Sequence, residues 1–507
     1  MNNKRLWTLI ALGLIGAFNL IFLWFSLFDL SSDEAYYWEW SRRPALCYFS
    51  KGPMVAYVIH ISTYLFGHTA FAVRLPAVLL SLGTLFLSYM LSVRLFRSDL
   101  AAFISALMLA AAPMLNAGST LMTIDVLMCF FSVLAIVLVW EALARQKPLL
   151  WLLAGVCIAL AILSKFTAIV LVIGVLAFVV LSKRDRSLAL KPFPYICCGI
   201  GLLAFLPIIQ WNMAHHWVTF RHVAALGKIG SPGLIHLKHV PSFFLGQIVV
   251  MSPPILIAAP FGLWRCGEKA WKGDRDHLFL LCFALPVLLF YFLLSFHTEI
   301  LPNWPVLGYF PAMVAAGAVI VERLGRWRDS AKARWMRAGI VFCIAFGLTI
   351  CAVARFPSLL YKVGIPSTCL PTKRLEGWRE LGERVSVVSA EMGRQGEVLI
   401  LGDCYQTTSE LAFYTKGHPV TYCAPQPGRR LSQYDFWPGC EDFSGKNAIY
   451  VGRIHGNVSP ELKAAFESVV QDRPLEVVRG GRLIRSFSIL RCYGFKGFPK
   501  DASEAKD

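Results

Sequence analysis

Charge is what this chain has least of. Asp, Glu, Lys and Arg make up only 16% of its 507 residues, against 56% hydrophobic residues, whereas an ordinary soluble domain is about 25% charged. That shortage excludes a disordered chain and argues against a single soluble globule. A mean hydropathy of +0.57 points to the bilayer as the solvent. Acids are scarcer than bases, and the net charge of +18 would suit a nucleic-acid partner if it were gathered on one face. It is not gathered: the basic excess is 15 in residues 1–356 and 3 in 357–507, and it sits in short stretches between apolar runs. That is the signature of membrane topology. No CxxC occurs among the 14 cysteines, so a zinc cage or redox pair has little support. Internal repeats and low-complexity segments are also missing.

Apolar runs near or above the length that crosses roughly 30 Å of hydrocarbon lie at about 6–28, 73–95, 100–115, 122–143, 149–164, 166–182, 193–211, 241–264, 278–296, 304–321 and 338–356. About eleven spans are therefore expected. The first follows Lys4 and Arg5 but has no small-residue cleavage site, so it reads as an anchor rather than a signal peptide. With the N-terminus inside, the inner connections carry twenty Lys and Arg and the outer ones seven (Arg42, Arg43, Lys51, Lys165, Arg221, Lys228 and Lys238), and everything after Arg355 falls outside.

The tail changes character. EGWRELGERVSVVSAEM (376–392) and SPELKAAFESVV (459–470) read as helices, and VLILGD (398–403), AIYVG (448–452) and LIRSFSILRCY (483–493) as strands. The fold class expected is a polytopic α-helical membrane protein, residues 1–356, with a long first outer loop at 29–72, followed by an extracytoplasmic α/β domain at 357–507. The last residues, KDASEAKD, are polar and expected to fray. Cysteines 129, 157, 197, 198, 282, 343 and 351 fall in spans as small apolar packers. Cys47, Cys369, Cys404, Cys423, Cys440 and Cys492 would face an oxidising space, where fifteen pairings are open.

An ionisable residue at a membrane boundary is costly and asks for a partner or a function. Asp33, Glu34 and Lys51 lie in the first outer loop and Asp125 where the fourth span starts. Lys165 is at the next outer turn, His215, His216, Arg221 and His222 are in a later loop, and His297, Glu299 and Asn303 in a short one. All converge on the outer leaflet, and the span interiors hold almost none, unlike a transporter with ionisable groups near the midplane. The stretch from Pro53 to Leu65 is too short to span and reads as an interfacial helix. Acids beside bases at such a depth suit a reaction in which a lipid-linked phosphate leaves, held by cations, and a hydroxyl attacks, helped by a carboxylate.

The succession DEAYYWEW, YFSKGP, TIDVLMCFF, LSKFTA, WNMAHHWVTFRH and LPNWP resembles the bacterial membrane glycosyltransferases of the GT-C class. Nearest are the protein O-mannosyltransferase-like and lipid A aminoarabinose transferase families. The resemblance covers about residues 1–320 and reaches the tail through PTKRLEGWREL, SELAFYT and RRLSQYDFW. It implies an inner-membrane enzyme that moves a sugar from a polyprenyl-phosphate donor to an acceptor at the outer face, with inversion. It maps Asp33 onto the family's catalytic acid, the general base, and Glu34 onto its acidic neighbour. Lys51 maps onto a lysine facing the donor phosphate, and Asp125 and Lys165 onto an acid and a lysine of the same pocket. Where the aminoarabinose transferases have an acid before Lys-Pro-Pro, this chain has Ser50 followed by Lys51, Gly52 and Pro53, which leaves a divalent metal open. Where they have an Arg, it has Tyr36, and Arg221 is the candidate substitute cation. The implied partners are the polyprenyl-linked donor, a lipid A, lipopolysaccharide or protein acceptor, and membrane lipids, with no nucleic acid.

Plainer roles compete with these. Asp33 and Glu34 suit a helix's first turn, Lys51 could snorkel to lipid phosphates, and Asp125 with Lys165 could be a structural ion pair. His215 and His216, being adjacent, point apart and do not share a metal; His216 alone, like His297 and Glu299, is a candidate pocket residue. Tyr36, Tyr37, Trp38, Trp40, Trp217 and Trp304 read as an interfacial belt rather than sugar-stacking platforms. The function expected is glycosyl transfer to an envelope acceptor. A protein O-mannosyltransferase or a non-enzymatic lipid-linked sugar flippase is the alternative.

Overall fold

The structure, a computed structural model, describes residues 3–25, 28–227, 237–328, 330–356, 371–426, 428–452 and 459–499. Lys228, Cys369 and the polar end at 500–507 lie outside them. In chain order the helices are α1 (Asn3–Phe25), α2 (Ser32–Ser41), α3 (Met54–Phe66), α4 (Ala70–Phe96), α5 (Asp99–Ala111), α6 (Pro113–Gly118), α7 (Ile124–Arg145), α8 (Pro148–Ser164), α9 (Val170–Leu181), α10 (Phe193–Leu203), α11 (Phe205–Ala214), α12 (Val218–Leu226), α13 (His239–Met251), α14 (Pro253–Trp271), α15 (Arg275–Leu294), α16 (Val306–Arg326) and α17 (Ala331–Ala354).

Among the described residues seven helical runs are long and apolar enough to cross a membrane: α1, α4, α7, the run Phe193–Ala214, α15, α16 and α17. The run expected at 241–264 is instead the pair α13 and α14, bent by 106°. Ser252 at the bend has φ +68°, and Pro253 and Pro254, which cannot continue a preceding helical ladder, start the next helix. The runs expected at 100–115, 149–164 and 166–182 are helical but shorter than the seven, with 13 residues in α5, 17 in α8 and a run Phe166–Leu181 whose last 12 residues are α9. The Pro53–Leu65 expectation corresponds to the 13-residue α3.

The chain divides into two compact units. The first comprises Met1–Trp24, Lys51–Val55 and Arg74–Ala352, and the second Phe25–Ser50, Ala56–Val73 and Val353–Asp507. Most of the first outer loop thus keeps company with the tail. In the helical unit α7 lies along α8, α8 along α10, and α16 against α5, α14 and α15. Without a hydrophobic drive between helices in lipid, close approach depends on small residues. A Cβ on Gly317 of α16 would stand 2.1 Å from the Ser105 hydroxyl oxygen of α5.

The second unit adds α18 (Trp378–Met392), β1 (Val398–Gly402), α19 (Tyr405–Tyr414), β2 (Thr421–Cys423), β3 (Asn447–Gly452), α20 (Pro460–Ala464), β4 (Phe466–Gln471), β5 (Leu475–Arg479) and β6 (Arg482–Phe495). The sheet order is β2-β1-β3-β6-β4, with β5 also paired to β6. β1 runs parallel to β2 and β3, and β6 antiparallel to β3, β4 and β5. On α18, Trp378, Leu381, Val385, Val388 and Met392 recur at helical spacing, and all are buried against Ile400, Ile449, Phe487 and Ile489. The helix expected over 459–470 ends at Ala464. Phe466–Gln471 is a strand because it pairs antiparallel with β6, from Phe466 opposite Phe495 to Gln471 opposite Leu490. Of the cysteines expected to face an oxidising space, Cys423, Cys440 and Cys492 are free thiols.

Candidate functional site

In the helical unit, α7 and α8 are antiparallel neighbours joined at Gln146 and Lys147, so the start of one lies by the end of the other. Asp125 occupies the first turn of α7, where a helix dipole favours an acid, and Lys165 caps the C-terminus of α8, where it favours a cation. Their side chains meet: Lys165 Nζ is 2.7 Å from Asp125 Oδ1, with exposures of 10% and 15%. Asn303, in the turn before α16, donates to the other oxygen, Asp125 Oδ2, at 2.8 Å. The carboxylate is thus held from both sides, and Asn303, expected at the outer leaflet but without an assigned role, is a member of the cluster. Lys51 approaches the same helix end. A Cβ on the next residue, Gly52, would stand 1.9 Å from the Leu163 carbonyl oxygen, two residues before Lys165. Only glycine permits that contact, which explains why this chain has Lys-Gly-Pro here.

Asp125 and Asn303 also border a cavity of about 370 Å³ running between α1, α4, α5, α6, α7, α13 and α16. Leu85, Leu109, Val126, Val250, Val306 and Phe310 are among its walls. It is a mainly apolar slot with one polar end.

In the second unit, α2 begins with a capping box. Ser31 Oγ accepts from the Glu34 amide at 3.3 Å, and Glu34 Oε2 accepts from the Ser31 amide at 2.9 Å. Glu34, expected beside Asp33 as a second reacting acid, is fully buried and engaged in this cap. Asp33, one residue earlier, is exposed, and its Oδ1 accepts from the Tyr405 hydroxyl at 3.3 Å. Burial, then the charge of Asp33, pushes the Tyr405 phenol above its usual range and keeps its proton in place. Tyr405 opens α19 directly after β1, at the carboxyl end of a parallel strand, where α/β sheets commonly hold their sites. That position was the available signal.

Tyr36, expected among the donor-phosphate residues, is not available for that role. It is 4% exposed, its hydroxyl oxygen accepts from the Gln433 amide, and its ring lies 4.6 Å from Tyr405 and 4.8 Å from Trp40. The belt expected at 36–40 is likewise a packed core. Trp38 and Trp40 are fully buried, Trp38 Nε1 donates to His68 at 3.0 Å, and Trp40 stacks on Tyr48 at 4.4 Å. Four residues after Tyr36 comes Trp40, on the same helix face, and α2 lays that face on α19 and the 433–436 turn rather than on lipid. Beside them the fully buried Glu39 is paired with Arg42 at 2.9 Å and Arg43 at 3.5 Å. Asp29 Oδ2 accepts from the Trp378 and Arg379 amides at 2.8 and 3.3 Å, capping α18, whose own N-cap residue Gly377 has no side chain to do so.

The other expected pocket residues are placed as follows. Arg221 is exposed on α12, just after His216 and Trp217, which hold left-handed backbones at φ +54° and +62°. The His215 ring stacks on Trp211 at 3.8 Å. His297 is half-buried and Glu299 exposed in the turn after α15. Among the described residues no three His, Cys, Asp or Glu gather closely enough to hold a metal ion, and both Asp125 oxygens are taken.

Residues 50–211 match the family described as dolichyl-phosphate-mannose-protein mannosyltransferase. The lipid A galacturonosyltransferase RgtD of Rhizobium johnstonii is 27% identical over 298 residues, 59% of this chain and 62% of that protein. The undecaprenyl phosphate-alpha-4-amino-4-deoxy-L-arabinose arabinosyl transferase of Pectobacterium atrosepticum is 27% identical over 352 residues, 64% of this chain and 61% of that protein. The chain thus spans about three fifths of the length of these relatives. Among solved structures, ArnT from Cupriavidus metallidurans bound to undecaprenyl phosphate superposes with a TM-score of 0.60 at 19% identity, covering 94% of this chain and 97% of that one. An Archaeoglobus fulgidus oligosaccharyltransferase with a tethered acceptor peptide superposes at 0.52 and 13% identity, over 91% and 70%. The resemblance carried by the loop motifs is borne out, and the described chain is a multi-pass membrane protein with the GT-C fold of ArnT and a sheet-containing C-terminal unit.

Proposed function

We propose that the protein transfers a sugar from a polyprenyl-phosphate donor to lipid A or another lipopolysaccharide acceptor at the periplasmic face of the bacterial inner membrane. The observation that carries this reading is the ion-paired, mostly buried Lys165 bonded to Asp125, which itself borders the apolar cavity of about 370 Å³. The slot's polar end is lined by Asp125 and Asn303, with Lys165 bonded to Asp125 behind it, and a cation next to an apolar slot suits a phosphate with an isoprenoid tail. Lys51 and Lys165 supply positive charge to the donor phosphate, and Asp125 and Asn303 fix the second lysine.

Asp33 is the base. As it takes the proton of the acceptor hydroxyl, that oxygen bonds to the anomeric carbon, the bond from that carbon to the phosphate oxygen breaks, and the polyprenyl phosphate leaves with the electron pair. One displacement inverts the anomeric centre and needs one base. Tyr405 orients the Asp33 carboxylate through its hydroxyl. The lipid A-directed relatives support the acceptor, and the ArnT complex with undecaprenyl phosphate supports the donor class.

The match of residues 50–211 to a protein mannosyltransferase family favours a second reading, a protein Ser or Thr acceptor with the same donor chemistry. Incubating the purified chain and its Asp33→Asn variant with a polyprenyl-phosphate sugar, offering lipid A or an unfolded envelope protein, tests both. Label in lipid A only with the parent protein supports the first reading. Label in protein alone supports the second, and label from neither removes the enzyme reading.

A further inference from the structure

The helical unit holds a second cavity, of about 700 Å³, that the reaction does not use. Its walls include Arg5, Arg94, Arg97 and Arg145, with Trp140 and a single carboxylate, Glu141. α7 is 22 residues long and has Asp125 in its first turn and Arg145 in its last, so this cavity lies at the opposite end of the span, about 30 Å away at 1.5 Å per residue. The ends of α1, α4 and α7 bring the four guanidiniums together there.

The local carboxylates are already shared. Glu141 pairs with Arg94 at 3.1 Å and with Arg145 at 2.5 Å, and Asp99 pairs with Arg5 at 2.9 Å while accepting from the Tyr89 hydroxyl at 3.0 Å. Two carboxylates against four guanidiniums leave two positive charges in excess. Among the described residues the Arg97 guanidinium has no hydrogen bond or ion pair. Its backbone is also informative: Arg97 sits just past the end of α4 at φ +50°, with its amide bonded to the Val93 carbonyl at 2.9 Å. That is the left-handed stop where glycine is the usual residue. An arginine there accepts backbone strain and places a cation at the cavity.

On α4, Phe86, Met90 and Val93 follow one another at helical spacing, an apolar stripe with the Arg97 charge just past the helix end. Phe86 is 40% exposed. Trp140 is fixed from behind by the Arg275 guanidinium at 4.7 Å, itself held by Asp185 at 2.7 Å. A soluble anion would use the guanidiniums alone, whereas a lipid uses the stripe as well.

We propose that this cavity binds the headgroup of an anionic phospholipid, with its acyl chains laid along Phe86, Met90 and Val93. The two spare charges match a headgroup with two phosphodiesters best. The test adds diphosphatidylglycerol, phosphatidylcholine or inorganic pyrophosphate to the delipidated full chain in neutral detergent and counts retained adducts by native mass spectrometry. Diphosphatidylglycerol should be retained over phosphatidylcholine by about fivefold for each guanidinium engaged. Arg97→Gly, which relieves the backbone and removes the charge, should lower that preference about fivefold without lowering the thermal midpoint of the lipid-free protein, and Arg97→Lys should keep most of it. Equal retention of phosphatidylcholine, an unchanged preference in Arg97→Gly, or complete displacement of the lipid by pyrophosphate would overturn the proposal.

Discussion

Gly52 lies so close to the Leu163 carbonyl that a Cβ would stand 1.9 Å from that oxygen. The contact fixes the Lys51–Pro53 turn on the end of α8 that carries Lys165. Gly52→Ala should push the turn away and cost about 1–3 kcal/mol, the usual range for overpacking. Thermal unfolding should report that loss, and titration with the polyprenyl-phosphate donor should show weaker binding. An alanine variant that matches the parent in both would remove the contact from the account.

The Asp125–Lys165 pair separates stability from transfer. Lys165→Met leaves a mostly buried carboxylate with Asn303 alone and should destabilise by about 3–5 kcal/mol. Adding Asp125→Asn to that variant should restore most of the stability but none of the transfer. If the double variant transfers sugar at the parent rate, Lys165 holds only the fold.

Tyr405→Phe removes the hydroxyl that donates to Asp33. A hydrogen bond to a charged group is worth about 1.5–3 kcal/mol, so kcat should fall roughly tenfold or more with KM little changed. Steady-state kinetics with a saturating donor reads this split, and a change confined to KM would make Tyr405 an acceptor-binding residue instead.

Glu410 on α19 is 1% exposed, and among the described residues both its oxygens lack a hydrogen-bond partner of good geometry. Burial above all, then the charge of Asp29, raises its pKa well above the usual carboxyl value, with Arg485 opposing. The folded state therefore favours the protonated form. Its contribution to stability is fully present below the ordinary carboxyl range and is lost as the pH climbs through the raised value, by about 1.4 kcal/mol for each unit of the rise. Relative to Glu410→Gln, the parent should lose thermal stability as the pH rises from the ordinary carboxyl range. Parallel pH dependence in the two proteins would place an ionised, compensated Glu410 in the fold.

Asp29→Ala removes the cap on α18 and should cost about 0.5–2 kcal/mol. Limited proteolysis within 378–392 should quicken accordingly, and no change would show that Gly377 and solvent suffice.

Much of the architecture could be read from the residues because it is local. Apolar run lengths mark α1, α4, α7, α15, α16 and α17, and the 3-4 spacing from Trp378 to Met392 marks α18. Asp125 and Lys165 could be named because charges at span ends are rare. What stayed hidden depends on partners far away in sequence. Phe466–Gln471 is a strand because β6 is there, Asp29 caps a helix 349 residues later, and the aromatics of α2 are core because α19 covers them. Glu34 looked like a second reacting acid for a related reason. In sequence Glu34 suits both a reacting acid and a helix's first turn, and the structure engages it in the capping box with Ser31. Tyr405 had no motif of its own, and the cavity beside Asp125 is a space between seven helices that no single stretch reveals.

The most direct test of the central claim is sugar transfer by Asp33→Asn, measured beside donor affinity on the same preparation. The account predicts that turnover falls by at least about a hundredfold, the lower worth of a general base, while polyprenyl-phosphate affinity and the thermal midpoint stay within error of the parent. Turnover near the parent level with affinity intact would contradict it, because the exposed carboxylate beside Tyr405 would then have no part in activating the acceptor.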